Sequence, residues 1–157
     1  MTQTRVRAHI RWMIRRDLPQ VVAIEAATGE SKWSEEEFLA RLRVRECVAM
    51  VCVDSLDTVL AYMVYEPHPH YLNILNLTVN PKYHRRSVGR HMVDTLQAKL
   101  SEHRRTGLEF RVRERNLAAQ LFLREMGFEC DEIVKGWFCG DDGEEDAYHF
   151  VYNLTSC

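Results

Sequence analysis

The residues best suited to chemistry lie in segment 77–90, LTVNPKYHRRSVGR. This segment leaves an apolar strand, turns at Pro81, and enters a helix through a loop that contains Arg85 and Arg86. The first amides of a helix lack intrahelical acceptors, and the helix dipole puts partial positive charge at the same end. With Arg90 close by, the segment predicts a site for a phosphate or pyrophosphate group.

The composition of the chain narrows the classes of function. A length of 157 residues predicts one domain, residues 1–157, with a core of ordinary size. A formal charge of −2 disfavours a nucleic-acid partner, and no apolar run approaches the ~20 residues of a membrane span. The N-terminal segment is charged rather than apolar, so we expect no signal peptide and a cytoplasmic location.

The cysteine and histidine residues do not form a metal-ligand pattern. Five cysteines without a Cys-x-x-Cys pair predict reduced thiols in a reducing compartment. His68 and His70 flank Pro69 in a turn-like segment, where a metal site is one interpretation and solvated loop histidines are the favoured one. We therefore predict no bound metal.

The apolar periodicity predicts the elements that position segment 77–90. Strands are predicted over 5–14, 47–53, 58–66, 71–79, 108–113, 128–138 and 147–154. Helices are predicted after the N-caps Asp17 and Ser34, over 87–104, and over 117–126 after the N-cap Asn116, with Glu37 completing a capping box at Ser34. The order β-α-α-β-β-β-α-β-α-β-β predicts a mixed α/β (α+β) fold with about seven strands and about four helices.

Local motifs then follow one another in a specific order. Segment 32–38, KWSEEEF, precedes 76–81, NLTVNP, and 84–90, HRRSVGR. Segment 112–128, VRERNLAAQLFLREMGF, comes next, ahead of the hairpin segment 142–147, DGEEDA. Over essentially its full length the chain resembles the GCN5-related N-acetyltransferase (GNAT) superfamily, and within it the ribosomal-protein-alanine N-acetyltransferases most of all.

The resemblance implies a GNAT fold, in which two adjacent parallel strands splay apart, and acetyl-CoA as the cofactor. In this reading the strand residues Leu77, Thr78 and Val79 contact the acetyl-pantetheine arm in the manner of an added strand. Asn116 binds the pantetheine from the opposite side, a role that is compatible with its alternative as a plain N-cap. The pyrophosphate is held by Arg85, Arg86, Ser87, Val88, Gly89 and Arg90.

The pyrophosphate loop departs from the family pattern at Ser87 and, more mildly, at His84, where the family has Gln or Arg. Ser87 stands where the resemblance leads us to expect a glycine, which allows the backbone to approach a phosphate closely. The serine hydroxyl can donate to a phosphate oxygen or cap the helix. We therefore expect weaker cofactor binding rather than none.

The same resemblance brings unexpected residues to the catalytic positions. The family's general-base glutamate falls on Arg111 and its general-acid tyrosine on Leu123, and neither side chain can perform that role at neutral pH. Glu109, on the same strand face as Arg111, is a candidate base acting through water, with a carboxylate paired to Arg111 as the alternative. Tyr148 and Tyr152 are candidate acids, with packing as their alternative role.

The acceptor is defined least by the sequence. Trp33, Trp137 and Phe138 are expected to line its site, and the acidic loop 141–146 either attracts a basic substrate or forms a solvated turn. The resemblance implies acetyl transfer to a primary amine, either a protein N-terminus or a small amine. The alternative is an acyl-CoA-binding sensor or interaction domain that has lost catalysis. We expect neither nucleic acid nor a membrane as partner, and we leave a homodimer open.

Overall fold

The computed structural model describes residues 8–28, 32–83, 86–140 and 143–154, and its elements follow the predicted order. The helices are α1 (Leu18–Thr28), α2 (Glu35–Arg43), α3 (Arg86–Gln97) and α4 (Leu117–Glu125). The strands are β1 (His9–Trp12), β2 (Val48–Val53), β3 (Val59–Pro67), β4 (Tyr71–Val79), β5 (Gly107–Arg113), β6 (Glu129–Gly140) and β7 (Gly143–Asn153).

The strands form a 7-stranded mixed sheet in the order β1-β2-β3-β4-β5-β7-β6. Strands β4 and β5 are parallel, and their ladder runs from Tyr71 opposite Gly107 to Ile74 opposite Phe110. Strand β7 lies antiparallel to both β5 and β6. The predicted mixed fold is confirmed, and the separation of β4 from β5 beyond this ladder stays a prediction.

The chain groups into two compact units. The first unit comprises Met1–Glu66 with Asn76–Asp94, and the second comprises Pro67–Leu75 with Thr95–Cys157. Strand β4 and helix α3 therefore each contribute residues to both units. One domain over residues 1–157 stays a prediction.

Strands β2 and β3 supply the core of the first unit. Residues 49–53 and 59–65 are all buried, with exposures of 8% or less. Strands that are covered on both faces read as continuous apolar runs, which explains the absence of alternation in these sequences. Helix α1 adds Leu18, Val21 and Ile24 to this apolar set, and α2 adds Phe38.

Strand β5 lies in the second unit, and its two faces differ in polarity. Its apolar face is buried at Leu108, Phe110 and Val112. The other face is only half-buried and carries Glu109 and Arg111. Because side chains alternate along a strand, this polar face is directed away from the apolar core of its unit.

Helix α3 is shorter than the sequence predicts, since it ends at Gln97 rather than at residue 104. Beyond it, the amide of Leu100 donates to the Gln97 carbonyl and the amide of Ser101 donates to the Arg105 carbonyl. Leu100 is 9% exposed, so it continues the apolar spacing of the helix after the helix itself has ended. Periodicity alone therefore extended the prediction too far.

Asp17 is not the N-cap of α1, which corrects a second prediction. It lies in a 3₁₀ turn, Arg15–Asp17, and accepts hydrogen bonds from both terminal nitrogens of Arg11 at 2.8 Å and from the Ile14 amide at 2.9 Å. Burial raises the pKa of Asp17, but the bonds from Arg11 and Ile14 outweigh it, so the pKa of this carboxyl lies below its ordinary value.

We expect Asp17→Asn to lower the free energy of unfolding by about 2 kcal/mol at neutral pH, because hydrogen bonds to a buried charged group each contribute about 1.5–3 kcal/mol. A carboxyl with a lowered folded-state pKa stabilises the protein above its unfolded pKa, and this contribution is lost as the pH falls through the folded pKa. The difference between the two proteins should therefore shrink in acid. Urea unfolding at about pH 7 and about pH 3 measures it.

Asp57→Asn is the matched control. Asp57 lies 3.6 Å from Arg11 but is 57% exposed, and its φ of 60° is one that asparagine tolerates. We expect it to change the unfolding free energy by less than about 0.5 kcal/mol. A loss from Asp17→Asn that is equal at both pH values would contradict the assigned role.

Candidate functional site

The predicted anion-binding segment forms the beginning of α3 in the first unit. The helix starts at Arg86, so the amides of Arg86, Ser87 and Val88 lie in the first turn, where intrahelical acceptors are absent. Ser87 and Arg90 are exposed, and Gly89 is buried. This end of the helix combines amide donors, partial positive charge and an exposed guanidinium, a donor set that fits a pyrophosphate group.

Two predicted members of this segment are not fully described. Arg85 lies outside the described residues, and for Arg86 the structure gives the backbone alone. Their roles toward the pyrophosphate stay predictions.

The last part of β4 carries the predicted contacts to the pantetheine arm. Leu77, Thr78 and Val79 are half-buried, and Asn76 before them is 5% exposed. The Thr78 hydroxyl donates to Asn76 Oδ1 at 2.8 Å. A partly accessible strand backbone fits an extended ligand that adds to it by main-chain hydrogen bonds.

A buried carboxylate that the motifs do not reveal holds Asn76 in place. Glu25 of α1 is 0% exposed and accepts hydrogen bonds from the Tyr62 hydroxyl at 2.6 Å, from Asn76 Nδ2 at 3.0 Å and from the Trp33 amide at 3.0 Å. Burial, together with the bond to Glu25, raises the pKa of Tyr62 well above its ordinary value. The signal in the sequence is its spacing, four residues after Val21 on the buried face of α1.

Trp33, a predicted acceptor-site residue, is also held by its neighbours in α2. Its ring meets Phe38 edge-to-face with centroids 5.3 Å apart, and the Arg41 guanidinium lies 5.5 Å from its centroid. The N-cap prediction at Ser34 is confirmed, since its hydroxyl accepts from the Glu37 amide at 3.2 Å. These contacts fix where the indole stands in the first unit.

In the second unit, the polar face of β5 continues onto β7. The register places Arg111 opposite His149 and Glu109 opposite Val151, so these side chains share one face. His149 is 7% exposed and lies between two carboxylates. Its Nε2 is 2.8 Å from Glu109 Oε1, and its Nδ1 is 2.7 Å from Asp131 Oδ1. We call Glu109, His149 and Asp131 the carboxylate–imidazole cluster.

The two contacts of the His149 ring differ in kind. The Nδ1 contact with Asp131 is a hydrogen bond, whereas the Nε2 contact with Glu109 has the distance of an ion pair without hydrogen-bond geometry. Sequence reasoning missed His149, since no motif marks it. Its position opposite Arg111 becomes visible only once β5 and β7 are paired.

Residues at the family's catalytic positions have other roles here. The Arg111 guanidinium lies 4.6 Å from the centroid of the Trp137 ring, and its buried Nε has no hydrogen-bond partner among the described atoms. The side-chain contact described for Glu109 is with His149 rather than with Arg111, the partner named by the sequence alternative. Leu123 is 1% exposed and belongs to the core.

Two consecutive aromatic residues of β6 meet the arginines of β5. Arg113 lies 4.3 Å from the centroid of Phe138, beside the contact of Arg111 with Trp137. Neighbouring side chains normally point to opposite faces, but the register of β6 shifts between Val134 and Phe138. Trp137 remains 51% exposed, as a ligand-contacting residue would be.

The candidate acids lie on the other face of the sheet from Glu109. Tyr148 is opposite Val112 and Tyr152 is opposite Leu108, two residues that face the core. Tyr152 packs on Phe128 with ring centroids 5.6 Å apart, which is its alternative role. The structure does not bring Tyr148 to Glu109, and its role as the acid stays a prediction.

Asn116 is confirmed as the N-cap of α4. Its Oδ1 accepts a hydrogen bond from the Ala119 amide at 3.1 Å. The side chain is half-buried, so the capping role leaves it partly accessible. Its contact with the pantetheine stays a prediction.

Histidine and cysteine residues in the described parts of the chain are the candidates for metal or thiol chemistry. No group of three or more His, Cys, Asp or Glu residues there is arranged to hold a metal ion. The four cysteines that the structure describes are free, and burial raises the pKa of Cys52 to about 11. His68 stacks on Tyr71 with centroids 4.7 Å apart.

Within the residues that the structure describes, no helix is long and apolar enough to cross a membrane.

Comparison with known proteins supplies the decisive observation. The model of the Acetyltransferase (GNAT) family matches residues 9–128 of the chain. The chain belongs to the GNAT acetyltransferase family. It is an N-acetyltransferase, and acetyl-CoA is the donor of its acetyl group. The predicted superfamily and cofactor are confirmed, and the sensor alternative is not favoured.

Individual relatives agree with this assignment. The chain is 27% identical to ribosomal protein bS18-alanine N-acetyltransferase of Salmonella typhimurium over 131 residues, which cover 83% of this chain and 87% of that protein. The corresponding Escherichia coli (strain K12) protein is 26% identical with the same coverage. Both match the subgroup that the motifs resemble.

Solved structures of relatives share the fold. The crystal structure of the ribosomal-protein-S18-alanine N-acetyltransferase from Escherichia coli has a TM-score of 0.77 at 22% identity and covers 96% of both chains. Arabidopsis thaliana NAA60 in complex with acetyl-CoA has a TM-score of 0.83 at 16% identity and covers 96% of this chain and 100% of that chain.

We expect Glu25→Ala to lower the free energy of unfolding by about 3 kcal/mol, because it leaves the donors of Trp33, Tyr62 and Asn76 without their shared acceptor. Glu46→Ala, at an exposed turn position, should change it by less than about 0.5 kcal/mol. Denaturant unfolding compares the two variants. Equal stability of both would contradict the assigned role of Glu25.

Proposed function

We propose that the chain acetylates the free α-amino group of a protein or peptide. The observation that carries the proposal is the carboxylate–imidazole cluster on the polar face of β5 and β7. It places two carboxylates where they attract a protonated amine and where one of them can take a proton from it. The names of the relatives, which are alanine N-acetyltransferases of a ribosomal protein, favour a peptide N-terminus over a small amine.

The residues proposed to bind acetyl-CoA are the predicted cofactor residues of the first unit and Asn116. The main chain of Leu77, Thr78 and Val79 binds the acetyl-pantetheine arm, and Asn116 contributes a further polar contact to it. The first turn of α3 binds the pyrophosphate through its backbone amides, and Val88 and Gly89 belong to this segment. The side chains that contribute are those of Arg85, Arg86, Ser87 and Arg90. When bound, acetyl-CoA supplies an activated acyl group as a thioester.

Glu109 acts as the general base in this proposal. An α-amino group has an ordinary pKa near 7.7–8.0, so much of the acceptor arrives as an ammonium ion that must lose a proton before it can attack. The Glu109 carboxylate is 24% exposed, which leaves room for a water molecule between it and the amine. Tyr148 remains the proposed acid, although the strand register separates it from Glu109.

The aromatic residues supply the contacts to the acceptor. Trp137, stacked on Arg111, and Phe138, stacked on Arg113, form a partly exposed apolar surface in the second unit. Trp33 offers a further indole in the first unit. A peptide has side chains to place on such surfaces, whereas a short alkylamine has few, and this difference supports a peptide acceptor.

The setting of the reaction also belongs to the proposal. A cytoplasmic location accords with the free state of the four described cysteines. The substrates are acetyl-CoA and the peptide, with no nucleic-acid or membrane partner, and a homodimer is the assembly to test.

CoA release in the presence of peptides with free and with blocked N-termini tests the acceptor. We expect turnover with free α-amino groups and none with the blocked peptides, with small amines at least about tenfold lower in kcat/KM, because they lack contacts to the aromatic residues. Higher kcat/KM for polyamines or simple alkylamines than for any peptide would overturn the choice of acceptor.

Glu109→Gln tests the base. We expect kcat to fall by about 10²–10⁴, with little change in the KM for acetyl-CoA, because the amide keeps the shape of the side chain but cannot take a proton. Glu129→Gln is the matched control. Glu129 is exposed and lies opposite Val151, as Glu109 does, but it belongs to β6 rather than to β5. Equal kcat for the two variants would rule out Glu109.

Ser87→Asp separates helix stability from cofactor affinity. A carboxylate in the first turn of α3 interacts favourably with the helix dipole, so the unliganded protein should be as stable as before or slightly more stable. The same charge repels a pyrophosphate, so we expect acetyl-CoA to bind at least about tenfold more weakly, or about 1.4 kcal/mol. Thermal shift titration measures both, with Ser87→Ala as the control. Unchanged affinity in Ser87→Asp would place the pyrophosphate elsewhere.

A further inference from the structure

We propose that His149 is a positioning residue for acetyl transfer, which orients the Glu109 carboxylate and is itself oriented by Asp131. The inference rests on the proposed role of Glu109 as the base. His149 belongs to none of the motifs of the chain, and its assignment comes from the geometry of the second unit.

The two ring nitrogens of His149 have different contacts in the cluster. The hydrogen bond between Nδ1 and Asp131 requires the ring to donate there, because an ionised carboxylate can only accept. Nε2 then faces Glu109 Oε1 at 2.8 Å. This contact has the distance of an ion pair but not the alignment of a hydrogen bond, so the ring edge restrains Oε1 by its position. Nε2 therefore lies against Oε1, and Oε2 is left to accept from the amine or from a water.

The charges around His149 support this arrangement. Strand β5 directs Glu109 and Arg111 toward it, and β6 contributes Asp131 and, opposite it in register, Glu132. Asp131 is 50% exposed and Glu132 is exposed, whereas the ring of His149 is buried. A buried imidazole with a carboxylate at each nitrogen is held in one orientation, because rotation of the ring would break both contacts.

The backbone of β6 is shaped to bring Asp131 to this position. Cys130 lies opposite Phe150 and Glu132 lies opposite His149, so Asp131 is an extra residue without a partner of its own in β7. Such a β-bulge redirects a side chain that regular alternation would point elsewhere, and bulges are frequent beside active sites. The bulge thus serves to direct the Asp131 carboxylate at Nδ1.

The reaction itself requires a base that can accept a proton from the amine. An ammonium acceptor and a thioester give an amide, a thiol and one free proton: an N–C bond forms, the C–S bond breaks, one N–H proton goes to sulfur and another goes to water. Glu109 takes the proton destined for water. Glu109 and Asp131 both line a groove of about 290 Å³ that also includes Thr106 and Asn153, so solvent can reach the carboxylates while His149 stays covered.

A matched pair of variants tests the orientation. The side-chain nitrogen of asparagine corresponds in reach to Nδ1 of histidine, and that of glutamine corresponds to Nε2. His149→Gln places an amide nitrogen at the position of Nε2, beside Glu109, and His149→Asn places one beside Asp131 only. We expect kcat to fall at least about tenfold in His149→Asn and by less than about threefold in His149→Gln, with the KM for acetyl-CoA unchanged in both.

The double variant separates positioning from general stability. If His149 acts through Glu109, His149→Asn should lower kcat in the natural protein but have no further effect in the Glu109→Gln background. Equal reductions in both backgrounds, or kcat unchanged by His149→Asn, would overturn the inference while leaving Glu109 as the base. An unchanged kcat in Glu109→Gln alone would overturn both assignments.

Asp131→Asn provides the test if the His149 variants fail to fold. Asp131 is half-exposed, so its replacement should be tolerated, and the loss of the ionised acceptor at Nδ1 should lower kcat about tenfold through the same route. This loss should also vanish in the Glu109→Gln background. A loss that persists there would contradict the role of Asp131.

Discussion

The antiparallel ladder between β5 and β7 is the constraint on which the polar face of the second unit depends. It runs without a register shift from Gly107 opposite Asn153 to Arg113 opposite Ala147. A regular ladder fixes which side chains share a face, so His149 must meet the charged residues of β5 rather than the apolar ones. The ladder between β6 and β7 is instead shifted at two places. Those shifts bring Asp131, Trp137 and Phe138 to the same face, which regular alternation would not allow.

The buried carboxylate of Glu25 connects several parts of the first unit. A carboxylate removed from water is costly unless it is fully hydrogen-bonded, and Glu25 meets that condition with donors from three separate parts of the chain. Those donors belong to the segment before α2, to β3 and to β4. The positions of Trp33 and Asn76 are therefore linked through one side chain, and Asn76 adjoins the strand residues that are proposed to bind acetyl-CoA.

Local sequence signals predicted most of the fold and part of the site. The N-caps Ser34 and Asn116 and the strand 71–79 depend on near neighbours, and the structure confirms all three. The family motifs predicted the cofactor, acetyl-CoA. His149 and Asp131 could not be predicted in the same way, because their proximity depends on pairing between distant strands and on a bulge. Asp17 and the end of α3 were misassigned because capping patterns and apolar spacing do not reveal tertiary contacts.

The position of Glu109, the proposed base, has a consequence for how it would reach the amine. Glu109 and Arg111 share a face, and two residues along a strand separate their Cα atoms by about 7 Å. A carboxylate moved that far from the family's position reaches the same nitrogen most readily through an intervening water. Arg111 stands in the vacated position, where its guanidinium stacks on Trp137. The arginine is therefore compatible with the proposed route, in which the displaced Glu109 carboxylate takes the proton and His149 only positions that carboxylate.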